Sequence, residues 1–599
     1  MHGSNPTTET VPDAGIVSVR FLDKRFWRNL ASRFRGTFRE YAGPLILSVV
    51  TLFATCLTLD PGGDRPGLPA GPGLTTDEVL NVEAGLSLQS DLAVNGWGLL
   101  HPDSWSHAFS TSYYQSDYPP WGRLWLAGAH DVAQWAWPVP SQPGDPPRWF
   151  AVQARTGSAV AFALTVLLVG VCATRWFGRP AGWVAAAALP LMPRLFAHAH
   201  IASIESILGL VMTGTVLWTA DRWPQAMAAL NARSGPAGWK IPWMPVLVTG
   251  LLLGLTLLTK IQGVLFPIPF TLWAVWRFGR RGVGGVAVVG IVSAVVLLVG
   301  WPWLWEDTLG RIQAYLAPSD RGHLFCWYLG QKLIDSADPA FPEFAEVPWH
   351  YPLVMFLTTV PVGLHILGFL GVRARLSDAR LQLVLGVMIF PLILFAIPGI
   401  TVYDGERLFA VSFPLWAICM GAGAERCLAA LAARQVSLVR ARLAVAALVL
   451  AESYSLLTLH PCQLSYYSWL VGGPRGAVAL GMEPTYWADS ITRELQQQIV
   501  RQTPAGSTVH VAPVLHPIQL DGMLSQAPWL LRHGVQLTAY DDSIREQVRY
   551  ILVYRRHADG RASLNESPNG TPPPGLIRRA EVRRGGVQLA AFYEVTDAP

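Results

Sequence analysis

Two adjacent carboxylates, Asp77 and Glu78, stand in the segment LTTDEVLNVEAG, just beyond the first apolar run and at the start of a long polar loop. A carboxylate accepts a proton in general base catalysis, and cations placed opposite it hold a developing anion. Cations recur at separate places: Arg123 in YPPWGRLWLAG, Lys260 in GLTLLTK, and Arg407 in YDGERLF beside Tyr403 and Asp404. His198, His200 and Glu205 share PRLFAHAHIASIESILG, and His350 closes a later polar stretch. Each has a structural alternative. Thr75-x-x-Glu78 matches a helix capping box, Lys260 can snorkel to the lipid surface, and Arg407 can pair with Asp404 or Glu406. Glu205 can orient Lys260 or form a buried pair, and Arg123, beside Pro119 and Pro120, can serve an interface. His198 and His200 are two residues apart and do not share a helical face. Without a full ligand set, hydrogen bonding is expected of them rather than a divalent metal, and no cofactor is otherwise implied.

The elements that position these groups follow from composition. Of 599 residues, 51% are hydrophobic and only 14% charged, with 25 tryptophans. Soluble domains carry about 25% charged residues, so the sequence predicts a polytopic α-helical membrane protein. No basic cluster interleaves with aromatics away from the membrane-proximal segments, which argues against a nucleic-acid partner. The first apolar run starts after some forty residues with no small-residue cleavage site behind it, so no cleaved signal is expected. The tryptophans, WPWLW at 301–305 included, fit an interfacial aromatic belt.

Residues 1–42 read as a polar tail followed by a basic amphipathic stretch at 20–40, which anchors the N-terminus in the cytoplasm. Crossings are expected at about 43–59 and 156–174, followed by a hairpin over 181–220 with its tip near FAHAHIAS. A second hairpin over 244–276 has Lys260 at its tip; single crossings follow at 283–303, 352–372, 381–398, 407–425 and 443–459. Roughly 20 residues span the hydrocarbon, which gives about eleven crossings. Arginines punctuate the ends assigned to the cytoplasm. The candidate residues then all fall on the outer face, as expected if loops from several helices meet at one pocket. The large first outer loop is 60–155 and the transmembrane domain 43–460. Cys326 and Cys462 both fall outside, so a disulfide between them is open.

From 461 to 599 the composition changes to that of a small α/β domain on the outer side. A helix is expected over 488–502, capped by Asp489, with strands in STVHVAPV, GVQLTAY, RYILVYRR and GVQLAAFYEV. No nucleophile or metal motif stands out there.

LTTDEVLNVEAG, YPPWGRLWLAG, PRLFAHAHIASIESILG, GLTLLTK and YDGERLF, taken in order over roughly residues 40–425, resemble the C-type glycosyltransferase superfamily. They are most similar to its protein O-mannosyltransferase and aminoarabinose-transferase branch. The sequence departs from that branch at Glu205, where Asp is more usual, and in the C-terminal domain. The resemblance implies a membrane enzyme of the inner membrane that moves a sugar from a polyprenyl-phosphate donor to an acceptor hydroxyl of a protein, lipid or glycan. It implies Asp77 as base, with Glu78 beside it. Lys260, Arg407 and Arg123 would hold the donor phosphate, and His198, His200, Glu205, His350, Tyr403 and Asp404 would contact substrate. A phosphate leaving group is a weak base, so a single carboxylate suffices, unlike the pair needed to hydrolyse a glycosidic bond. The competing readings are a lipid-linked sugar transporter, which predicts ionisable groups at the bilayer midplane, and an inactive glycan-binding relative.

Overall fold

The computed structural model describes residues 24–61, 70–96, 118–138, 149–234, 240–316, 324–335, 338–513, 516–560, 562–566 and 570–596, with single residues between 97 and 117. The polar tail, the side chains of the basic stretch before Arg39, and the YYQSD part of the first loop lie outside the described residues.

Five described helices or helical runs are long and apolar enough to cross a membrane: Arg39–Thr58, Ala151–Phe177, Ile261–Gly300, Ser412–Ala433 and Leu438–Leu459. A sixth is the pair Tyr351–Thr358 and Val362–Arg375, bent by 111° between the two helices. The expected eleven are therefore not all present as long apolar rods, and the interruptions have visible causes. The 181–220 run is broken by Pro190 and Pro193 into the helices Arg179–Ala188 and Pro193–His198, before Ile204–Ser234 begins. Its tip falls at FAHAHIAS, as read from the sequence. The run Ile261–Gly300 bends sharply at Gly279, whose φ of 54° is the left-handed region that glycine enters freely. Gly282 then sits so close to the Ala274 carbonyl oxygen that a Cβ would lie 2.1 Å from it. This stretch is two helices, divided among Arg277, Arg280 and Arg281.

Helix packing uses small residues, as expected where no hydrophobic gain separates helix from lipid. Gly371 of Val362–Arg375 rests on the Cys419 carbonyl, and Gly423 of Ser412–Ala433 rests on that of Leu367. Any side chain at either glycine would drive the two helices apart.

Among the described residues, two sheets lie outside these helices. Strands β1 (Phe325–Tyr328) and β2 (Gln331–Ile334) form an antiparallel hairpin turned by Leu329 and Gly330 at φ 51° and 78°. The larger sheet has five strands, β3 (Thr508–Ala512), β4 (Gln536–Ala539), β5 (Tyr550–Tyr554), β6 (Leu576–Arg584) and β7 (Val587–Val595). Their order is β4-β3-β5-β7-β6, with β3 parallel to both neighbours and the β5–β7 and β7–β6 pairs antiparallel. The four expected strands correspond to β3, β4, β5 and β7. The expected helix over 488–502 is shorter, Arg493–Gln502, and its cap is Thr492, whose hydroxyl accepts from Leu495 N. Asp489 is buried instead and accepts a hydrogen bond from the Thr485 hydroxyl at 2.8 Å. Cys326 and Cys462 are both free and buried.

The sheet domain is seated on the first loop. One apolar core joins Val79 and Val82 of the helix Thr76–Asn95 to Ile491, Leu495, Leu520 and Met523. Gly522 packs so tightly on Val79 that a Cβ would meet its side chain at 2.5 Å.

Candidate active site

The two adjacent carboxylates part company at the first turn of the helix Thr76–Asn95. Glu78 completes the capping box: its Oε2 accepts from Thr75 N at 2.8 Å and from the Thr75 hydroxyl at 3.1 Å. Arg155 donates to both of its oxygens, Nε at 2.7 Å and Nη2 at 2.8 Å, and Ala202 N donates at 2.7 Å. Glu78 is fully buried, so its acceptor capacity is spent on the fold. Asp77, one residue earlier, has its side chain 30% exposed and pairs with Arg407 Nη2.

Arg407 is the hub. It follows the turn Asp404-Gly405, where both residues take positive φ, 54° and 65°. Its Nε donates to Glu205 Oε1 at 2.8 Å and its Nη1 to Asp404 Oδ2 at 3.1 Å. Lys260 Nζ donates to the same Glu205 oxygen at 2.7 Å. The guanidinium carbon lies 4.2 Å from the centre of the Trp487 ring, a cation–π contact that backs its flat face. Burial alone would lower the pKa of Arg407; the charges of Asp77 and Glu205 outweigh it and hold the group well above its usual range. For Asp404 the balance is reversed: burial raises the carboxyl more than Arg556 and Arg407 lower it. Local backbone explains how Lys260 arrives there. The helix Trp243–Leu257 ends, Lys260 is fully extended at φ −164° and ψ 156°, and a 3-10 turn restarts the chain.

The structure thus brings Asp77, Glu205, Lys260, Asp404 and Arg407 together, with Tyr403 in electrostatic reach of Arg407, Asp404 and Asp77. His198 stands just behind, edge-on to Trp487 at 5.3 Å, with Nε2 3.4 Å from the Tyr486 hydroxyl. Its buried Nδ1 has no hydrogen-bond partner among the described residues. His350 is further out, 2.9 Å from the Tyr328 hydroxyl; the next residue, Tyr351, accepts from Gly405 N at 2.9 Å and so touches the Arg407 turn. Arg123 is buried with its guanidinium 4.8 Å from the Tyr118 ring centre. His200 is turned away from the group: Nδ1 donates to Phe196 O at 2.7 Å, so Nε2 accepts from the Thr58 hydroxyl at 2.7 Å. Among the described residues no group of three or more His, Cys, Asp and Glu is placed to hold a metal ion.

Sequence reading missed Arg155, Arg194, Trp487 and Arg556. Arg155 left a signal, an arginine at the threshold of an otherwise apolar run, and in the structure it lies within the helix Ala151–Phe177, where it needs a buried anion. Arg194 does likewise for Glu406, at 2.6 Å. Arg556 sits in the YRR that ends β5, a strand with every residue buried, and reaches Asp404 Oδ1 at 3.1 Å.

Carboxylates and shared cations thus meet where loops from several apolar helices converge. The profile of the family described as dolichyl-phosphate-mannose-protein mannosyltransferase matches residues 93–312. The chain is similar to that family over a region that holds Arg123, His198, His200, Glu205 and Lys260, while Asp77 and the Tyr403–Arg407 turn lie outside it. No curated protein matches the sequence. Among solved structures, ArnT from Cupriavidus metallidurans bound to undecaprenyl phosphate is similar at 14% identity and a TM-score of 0.43, over 92% of this chain and 97% of that one. The Pmt1-Pmt2 protein O-mannosyltransferase complex of S. cerevisiae, bound to the sugar donor, is similar at 15% identity and a TM-score of 0.32, over 49% and 38%. The oligosaccharyltransferase AglB of Archaeoglobus fulgidus, in complex with an inhibitory peptide and a dolichol-phosphate, gives 12% and 0.45, over 86% and 70%. These structural likenesses are too loose to carry residue roles across.

Proposed function

We propose that the protein is a glycosyltransferase that moves a hexosyl or pentosyl unit from a polyprenyl-phosphate donor to an acceptor hydroxyl of a protein, lipid or glycan. It would act on the outer face of the inner membrane, with its N-terminus cytoplasmic. Residues 43–460 form the transferase unit, and 461–599 the domain that closes it from outside. The acceptor hydroxyl attacks the anomeric carbon, its proton passes to Asp77, and polyprenyl phosphate leaves with the bonding pair. Lys260 and Arg407 hold the phosphate, Arg407 by the planar two-point contact that a guanidinium offers. Arg123 contributes further positive charge, and His198, His350 and Tyr403 contact the sugar or the acceptor. Glu205 fixes the two cations.

The observation that carries this reading is Asp77, the partly exposed carboxylate of the Arg407 cluster, paired to an arginine that Glu205 and Asp404 already share. An apolar groove of about 520 Å³ supports the lipid side of it. The groove runs from Trp349 and Ala396, at the loop ends of their helices, to Leu376 beside Arg375, and suits a prenyl chain. The test is transfer from a radiolabelled polyprenyl-phosphate sugar by purified protein and by Asp77→Asn. Undiminished transfer by the variant overturns the base assignment; no transfer and no donor binding across common sugars overturns the reading.

A further inference from the structure

Resting on the reading above, we infer that Arg556, supplied by the sheet domain, is a positioning residue for the reaction: it fixes the Asp404 turn and through it the aim of Arg407. The two arginines that follow β5 divide their work. Arg555 turns inward and is consumed by its own domain, donating to Gln588 Oε1 and to Leu564 O, each at 2.8 Å, and to the Tyr593 hydroxyl at 2.6 Å. Arg556 turns the other way. Its Nη2 lies 3.1 Å from Asp404 Oδ1, its Nη1 donates to Tyr486 O at 3.0 Å, and its Nε lies 2.8 Å from the half-exposed Asp559.

Asp404 is thereby held from both sides, one oxygen by Arg407 and the other by Arg556. It needs to be. A non-glycine residue at φ 54° is strained, and its carboxylate is buried. The charged and titratable groups facing it are few. Asp77, from the helix Thr76–Asn95, repels it; Arg407, Tyr403 and Glu406 share its turn. From the sheet-domain side come Arg556 and Tyr554 of the β5 end, with Glu483 and Tyr486 from the preceding segment; Cys326 reaches it from β1. Only Arg407 and Arg556 among these favour the ionised form. Remove Arg556 and Asp404 takes up a proton at a higher pH, loosening its hold on Arg407 Nη1. The Nε and Nη2 contacts to Glu205 and Asp77 then no longer fix the guanidinium plane. A displacement on the order of 1 Å in a group that meets the reacting atoms costs about a hundred-fold in rate.

The experiment compares Arg556→Gln, Arg556→Lys and Asp404→Asn with wild type, using full-length protein in detergent. It measures kcat and KM for a polyprenyl-phosphate sugar between pH 6 and 9, together with thermal unfolding. The expected result is a drop of about ten- to hundred-fold in kcat/KM for Arg556→Gln near neutral pH. That deficit should shrink as pH rises and Asp404 ionises, and Arg556→Lys should recover part of it. Adding Arg556→Gln to Asp404→Asn should cost little more. A deficit equal at every pH, accompanied by an equal effect in the Asp404→Asn background, would mean that Arg556 only supports the fold and would overturn the inference. If wild type binds and transfers nothing, the functional reading falls by itself. The thermal double-mutant cycle of Arg556 with Asp404 then decides the linkage, and a zero coupling would refute it.

Discussion

Asp77 and Glu78 are neighbours in the chain, yet neutralising each by an amide should give opposite outcomes. Glu78 is 0% exposed and accepts five hydrogen bonds, two from Arg155, two from Thr75 and one from Ala202 N. Glu78→Gln leaves the Arg155 guanidinium buried without its counter-charge, and breaking a buried pair in this way costs about 3–5 kcal/mol. Asp77 has a side chain 30% exposed and one ion pair among the described residues, so Asp77→Asn should change stability by only about 1 kcal/mol. Its rate should fall instead, by about 10²–10⁴-fold, the contribution of a positioned general base. A second readout follows from the geometry. Arg407 is paired with Asp77 in the absence of donor, so on the proposed reading a donor phosphate has to displace Asp77 to reach it. Asp77→Asn removes that competitor, and the variant should bind polyprenyl phosphate more tightly, by about five-fold if the pair contributes about 1 kcal/mol. The assays are thermal unfolding in detergent, single-turnover transfer, and direct binding of polyprenyl phosphate. The reasoning fails if Asp77→Asn binds the phosphate more weakly than wild type, or if Glu78→Gln melts like wild type while losing transfer.

Burial holds Asp489 at about 6, above its usual 3.8, against the help of the Thr485 hydroxyl. A raised carboxyl favours the folded state at low pH, so about 3 kcal/mol of stability should be lost as pH rises from 4 through 6; melting temperatures of wild type should fall over pH 4 to 6 relative to those of Asp489→Asn. Ile389 lines the apolar groove, and Ile389→Trp should raise KM for a long-chain donor while leaving kcat and a short-chain analogue unaffected; an equal effect on both chain lengths would exclude the groove as the lipid site. Leu329 is exposed at φ 51° in the β1–β2 turn, a conformation that asparagine tolerates far better, so Leu329→Asn should stabilise by about 1 kcal/mol, read by thermal unfolding, and a loss of stability would contradict the turn geometry.

Much of this site could be read because ionisable residues in an apolar sequence are costly and few. Asp77, Glu205, Lys260, Asp404 and Arg407 drew notice for that reason, and they meet. What the sequence could not reveal was direction. Asp77 and Glu78 carry the same chemistry, and only the helix turn beneath them sends one to Arg407 and the other to Arg155. His198 and His200 stand two residues apart, and nothing in that spacing tells which histidine faces Trp487 and which faces Thr58. Arg556 was hidden by distance: it enters from a strand some 150 residues after Asp404, and no local pattern joins the two. The β1–β2 hairpin escaped notice because its turn carries Leu-Gly where Asn-Gly would have announced it. Strand β6 was masked by four arginines, which suit the solvent-facing edge of a sheet.

The arginines also separate scaffold from site by their stoichiometry. Arg155 serves Glu78, and Arg194 serves Glu406; in each case one guanidinium meets one carboxylate that is fully buried. Such a closed pair has no charge left to offer, and opening it would leave an uncompensated ion in a place that water does not reach. Arg407 is different. Asp77, Glu205 and Asp404 converge on it, while Lys260 and Arg556 are drawn in to balance them. Of the three acids, Glu205 and Asp404 are buried and each is held by a second cation, whereas Asp77 is the most exposed and lacks one among the described residues. When an incoming anion needs a face of Arg407, the contact that yields at least cost is the one to Asp77. On the proposed reading, a phosphate that takes its place would restore the charge balance and at the same moment leave the Asp77 carboxylate free to accept a proton. The donor would in this way switch on the base that uses it.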